Sequence, residues 1–188
     1  MSDPVSSVRQ SAPGFAHHDE AGDHEPTQFL TFMLAGEVYA IGILAIKEII
    51  EYKSVTEVPM MPTSVRGVIN LRGAVVPVVD LLARFGRQPG VITKRSCIVI
   101  VEVQSADDRQ TIGVVVDAVN EVLDIAPEDI EPAPHFGTRV RSDFVRGIGK
   151  VREKFVILLD VNHVLSITEL SALAHVAPGA AVAGADIA

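Results

Sequence analysis

Only one cysteine is present, Cys97, so no intrachain disulfide can form. Its setting, Cys97-Ile98-Val99-Ile100-Val101, reads as a small buried hydrophobe rather than a reactive thiol. There is no run of Lys and Arg, and the formal net charge is −8. That balance works against nucleic acid as a partner, because phosphate binding depends on clustered cations that release counterions. No apolar run approaches the roughly 18 residues expected of a membrane span, so no direct membrane insertion is expected. The opening MSDPVSSVRQ lacks the charged-then-apolar order of a secretory signal, and a cytoplasmic protein is expected.

Catalytic motifs are missing as well. There is no paired-cysteine metal spacing, no nucleophile elbow and no glycine-rich dinucleotide loop. Gly147-Ile148-Gly149-Lys150 glances toward a phosphate loop, but Phe144 and Val151 occupy positions where the Walker pattern needs Gly and Ser or Thr. The carboxylates from Asp117 to Glu131 read as a solvated face. His17, His18 and His24 lie in a polar tail without a second set of ligands, and His135 and His163 lack triad partners. Neither a metal nor a cofactor is expected, and the enzyme class rests only on these unassigned carboxylates and histidines.

What the chain does contain is the same pattern twice. Val65-Arg66-Gly67-Val68-Ile69, with an apolar run ending Val78-Val79-Asp80-Leu81, returns as Val145-Arg146-Gly147-Ile148-Gly149 with a run ending Leu158-Leu159-Asp160-Val161. Upstream, Ala40-Ile41-Gly42-Ile43 matches Thr111-Ile112-Gly113-Val114, and Ala45-Ile46-Lys47-Glu48-Ile49 matches Ala118-Val119-Asn120-Glu121-Val122. Two copies this long imply two similar subdomains rather than a solenoid, which needs about three or more. A single copy would bury only about 60% of its unfolded surface, so the halves are expected to pack together, leaving a groove at their boundary.

Residues 1–26 and 175–188 read as flexible tails, and 27–174 as the structured body. Within it the alternation of apolar and polar residues predicts a mainly β fold of five short strands per copy. The turns Ala35-Gly36, Arg72-Gly73 and Arg152-Glu153 and the loop Ser105 to Arg109 separate hairpins, and Ile46–Val55 and Val119–Ile125 supply further strands. Five strands suffice to close a small barrel. The first barrel is expected over about 27–90 and the second over about 91–162. Short helical turns are expected at Met61–Arg66 and Leu81–Phe85, with a C-terminal helix over about 161–173.

In an extended Ile46–Ile50, the carboxylate of Glu48 shares a face with Ile46 and Ile50, and Glu121 sits between Val119 and Leu123 in the same way. A carboxylate on an apolar face needs a partner. Arg72, at a turn between apolar strands, can meet Glu48 with its bidentate fork. The alternative is that both charges are simply exposed at a barrel rim. Ile43, Ile46 and Ile49 face either the core or a partner helix. Pro77 lies inside an apolar strand without a proline counterpart at Ile157, which places it at an edge or a barrel opening.

The run Gly67-Val68-Ile69-Asn70-Leu71-Arg72-Gly73-Ala74-Val75-Val76-Pro77-Val78-Val79-Asp80-Leu81 resembles the signature of the CheW-type chemotaxis coupling proteins. Tyr39 to Ile43, Ile46 to Ile49, Gly113 to Asp117 and Glu131 to Pro134 resemble the family too, although Ala40 and Gly42 stand where Gly and Asp are common. The resemblance implies two five-stranded SH3-like barrels and a non-catalytic adaptor linking chemoreceptors to the histidine kinase CheA, whose regulatory domain is similar. It implies a cytoplasmic protein recruited to membrane-associated receptor arrays, in swimming or in a related pathway of surface motility or development. It also implies a receptor groove at Ile43, Ile46, Glu48 and Ile49, and a kinase-facing hairpin carrying Gly67, Val68, Arg72, Gly73, Val75 and Pro77.

Overall fold

The computed structural model describes residues 27–105, 108–134 and 142–166. In chain order these form β1 (Gln28–Leu34), β2 (Glu37–Gly42), β3 (Ile46–Glu51), β4 (Val65–Leu71), β5 (Ala74–Asp80), α1 (Leu81–Arg84), β6 (Cys97–Ser105) and β7 (Asp108–Val116). There follow β8 (Ala118–Asp124), β9 (Ile130–Glu131), β10 (Val145–Val151), β11 (Lys154–Leu159) and α2 (Val161–Val164). The expected tails at 1–26 and 175–188, His135, and the helix beyond Ser166 lie outside the described residues.

Turn chemistry sets the hairpins. Ala35 and Gly36 have φ of 48° and 83°, and Arg72 and Gly73 have 52° and 87°. Positive φ at both central residues gives the backbone twist that matches two right-twisted strands. Arg152 and Glu153 adopt the same sign, φ 47° and 65°, without a glycine. The helical turn expected at Met61–Arg66 is absent. Pro59 and Pro62 break the segment into turns, Val65 N–H donates to Pro62 C=O at 2.9 Å, and Arg66 is already in β4.

The strands form a five-stranded sheet, β3-β6-β7-β5-β4, and a six-stranded one, β8-β1-β2-β11-β10-β9. Both are SH3-like barrels, but neither is a continuous half of the chain. The β6–β7 hairpin of the second copy sits between β3 and β5 of the first. The β1–β2 hairpin of the first copy sits between β8 and β11 of the second. The expected division into 27–90 and 91–162 therefore does not describe the sheets. The copies have exchanged their opening hairpins, and under the repeat the two strand orders are equivalent. The chain crosses between sheets at the 3-10 turn Ile43–Ala45 and again at Asp117.

This exchange puts the largest core between the barrels. Phe32, Leu34 and Ile41 from one hairpin and Val99, Val101, Ile112 and Val114 from the other belong to one buried cluster. Each barrel keeps a smaller interior of its own, around Phe29, Ala40 and Leu158 in one and Val78, Ile98 and Ile100 in the other. Burying apolar surface stabilises by about 25 cal/mol per Å², so a shared core of this kind binds the two barrels into one unit. A row of rings, Phe32, Tyr39, Phe85 and Phe144, runs through the cluster with centroids 5.8–6.4 Å apart. The Arg84 guanidinium caps it 4.6 Å from the Phe144 centroid.

Candidate functional site

At the first crossing, Ile43 and Ile46 are half-buried and pack against the central core, so they are tied to the body of the fold. Leu44 between them is 82% exposed and Ile49 is 42% exposed. Leu44 escaped the sequence reading. Its signal was the absence of any turn residue in Ile43-Leu44-Ala45, which marks an apolar connection rather than a hairpin loop. Polar residues frame this stretch. Lys47 Nζ lies 2.6 Å from Glu102, which Arg109 also meets at 3.3 Å. Hydrogen bonding from Lys47, with the positive charges of Lys47 and Arg109, holds the Glu102 carboxyl below the usual range.

Glu48 and Arg72 meet in bidentate fashion, Nη1 to Oε1 at 2.6 Å and Nη2 to Oε2 at 2.8 Å. The pair is a rim contact, with the Arg72 side chain 75% and that of Glu48 25% exposed. Hydrogen bonding from Arg72 is the chief cause that lowers the Glu48 carboxyl, and its charge adds to it. Glu48 is on β3 and Arg72 on the turn after β4, the two end strands of the five-stranded sheet. The pair thus closes the barrel across its open seam. The backbone bridge between Thr56 and Val68, with N···O distances of 2.9 and 2.8 Å, closes it further along. In the other barrel Glu121 does not repeat this arrangement. Its side chain is exposed and forms no ion pair with Arg152, the counterpart of Arg72. Its backbone instead serves the buried Thr31 hydroxyl, which donates to Glu121 C=O at 2.7 Å.

The β4–β5 hairpin carries the other candidate residues. Val75 is 74% exposed, and Phe155, in the equivalent place on the β10–β11 hairpin, is 66% exposed. Pro77 is half-buried at a point where β5 pairs with β4 alone, because pairing to β7 starts at Val78. Arg72 and Gly73 are exposed and Val68 is half-buried. Gly67 presents no surface: it is buried, with φ 145°, and a Cβ there would lie 2.1 Å from Thr56 O. Gly147 repeats the device, its Cβ position 2.7 Å from Glu131 O. The repeated Val-Arg-Gly therefore marks a bulge where a neighbouring segment presses on the backbone.

Arg66 has a role the sequence reading missed. Its Nε and Nη2 reach Asp80 Oδ2 at 3.0 and 2.7 Å, and the Asp80 side chain is only 3% exposed. The same oxygen accepts from Gly90 N–H at 2.9 Å, and Arg66 also donates to Gly90 C=O. Asp80 Oδ1 accepts from Ala83 N–H and caps α1. Among the described residues no group of three or more His, Cys, Asp and Glu is placed to hold a metal. Cys97 is half-buried, and His163 pairs with Asp160 at 2.9 Å. No described helix is long and apolar enough to cross a membrane. The arrangement offers apolar surfaces at rigid rims.

A family model described as a CheW-like domain matches residues 28–169. The Chemotaxis protein CheW of Klebsiella aerogenes is 37% identical over 157 residues, 84% of this chain and 92% of that protein. The protein of that name from Bacillus subtilis is 31% identical over 138 residues, 73% of this chain and 86% of the relative. Among solved structures, the scaffolding protein TtCheW from Thermoanaerobacter tengcongensis is 36% identical, with a TM-score of 0.67, over 78% of this chain and 92% of that one.

Proposed function

The chain belongs to the CheW-like family, and from that premise we propose that it is a non-catalytic adaptor that couples the cytoplasmic tips of chemoreceptors to the histidine kinase CheA. The observation that carries this reading is the apolar surface held at the first crossing. Leu44 and Ile49 are exposed in a stretch whose neighbours Ile43 and Ile46 are fixed to the central core. An amphipathic receptor helix presents anchors at i, i+3, i+4 and i+7, and a rigid apolar ledge suits such anchors without a large ordering cost. The kinase regulatory domain docks at the barrel end bearing Val75 and Pro77, where β5 has a free edge. The Glu48–Arg72 pair joins the strand of the receptor face to the hairpin of the kinase face. The protein works in the cytoplasm and is recruited to receptor arrays at the membrane.

Copurification of the full chain with a receptor tip fragment and a kinase regulatory domain, each alone and then together, tests the reading. A ternary complex is expected. Leu44→Asp should release the receptor fragment alone and Val75→Asp the kinase domain alone. Retention of neither partner, or loss of both in each variant, would overturn it.

A further inference from the structure

From Leu81 to Val101 the sequence holds Arg84, Arg87, Lys94 and Arg95 and no carboxylate, in a chain of net charge −8. Arg87, Lys94 and Arg95 are exposed and line a groove of about 1010 Å³ beside the second crossing, at Asp117. Lys47, Arg66, Arg72, Arg109 and Lys150 are all engaged by carboxylates, whereas among the described residues these three cations have no ion-pair partner. Asp117 is the one acidic residue among the described lining residues, and its Oδ2 is committed to Ala35 N–H at 2.8 Å. The floor is apolar, with Met33, Leu82, Pro89 and Val91, and Val91 is 79% exposed. The half-buried Arg66 and the buried Asp80 together grip Gly90 and so fix the base of the basic loop.

The second crossing is the counterpart of the first, where the described residues expose Leu44 and pair Lys47 with Glu102. Among the described residues the two crossings thus differ in chemistry. We propose that the second crossing docks an acidic amphipathic segment of a partner protein. Its apolar side chains would rest on Met33, Leu82 and Val91 and its carboxylates would face Arg87, Lys94 and Arg95. Charge complementarity selects this occupant: unpaired cations over an apolar floor favour an anionic chain that also has apolar groups to bury. A bare phosphate backbone would use the cations and leave the floor exposed. This site is additional to the receptor and kinase faces and does not depend on them.

The probe is a fluorescent 15-residue helical peptide with Leu at i, i+3, i+4 and i+7 and Glu elsewhere, compared with versions carrying Gln or Lys for Glu. Anisotropy with the full chain should show the Glu peptide binding at least tenfold tighter than the Gln peptide at 50 mM NaCl, with the gap closing at 500 mM as charges are screened. Arg87→Glu with Lys94→Glu should weaken the Glu peptide at least tenfold, while Lys154→Glu, outside the groove, leaves it unchanged. Circular dichroism verifies that each variant is folded. Equal binding of the Gln or Lys peptide, no effect of the double reversal, or complete competition by inorganic phosphate would overturn the proposal.

Discussion

Gly67 and Gly73 have positive φ on the same hairpin, yet replacing each with alanine should have very different consequences. At Gly73, φ is 87° and nothing lies within 4 Å of a new Cβ, so the cost is conformational, about 1–2 kcal/mol. At Gly67 a similar conformational cost of about 1–3 kcal/mol is joined by a contact of 2.1 Å with Thr56 O. Relief requires the backbone at Thr56 to move, which sacrifices its two hydrogen bonds with Val68 at about 0.5–1.5 kcal/mol each. The Gly67→Ala total is therefore about 2–6 kcal/mol, against a total stability of about 5–15 kcal/mol for a typical domain. Urea unfolding followed by circular dichroism measures both, with constant m-values showing that stability is what changed. A Gly67→Ala cost no greater than that of Gly73→Ala would refute the steric contact, and so would full stability with lost kinase binding, since that would make Gly67 a contact residue.

Asp80→Ala leaves Arg66 without its carboxylate and Gly90 N–H without its acceptor, and should cost about 3–5 kcal/mol in the same unfolding assay; a loss under 1 kcal/mol would mean the pair is effectively solvated. Phe32→Ala, at 0% exposure in the shared core, should cost about 3–5 kcal/mol in a single transition, and two separate transitions would show that the barrels are not one cooperative unit. The Glu48 carboxyl is depressed in the folded state. Its contribution to closure is therefore full above the ordinary carboxylate range and is lost as pH falls through the depressed value, so carboxyl NMR should show it titrating low and returning to normal in Arg72→Ala. An unchanged titration in that variant would break the assignment.

The β class, the repeat and most hairpins were legible because alternation and turn dipeptides are local signals. Glu48 with Arg72 was legible only as two readings, a partnered pair or two charges exposed at the rim, because the pattern names a face and not a depth; the residues form a pair at the rim. Exchange of the hairpins was hidden by the repeat itself. When both copies carry equivalent strands, the same alternation fits pairing within a copy or between copies. One clue pointed the other way: Ile43-Leu44-Ala45 has no turn former. Arg66–Asp80 stayed hidden because Asp80 looked like an ordinary strand end.

If two separate faces of one rigid scaffold place a kinase under receptor control, reconstituted kinase activity must depend on both faces. Phosphorylation by CheA is followed with receptor fragments in membranes, with and without this protein, and with Leu44→Asp and Val75→Asp in its place. Receptor-controlled activity is expected only with the unmodified chain, and its loss in both variants while each still binds its remaining partner. Full receptor control without the protein, or with both variants, would contradict it.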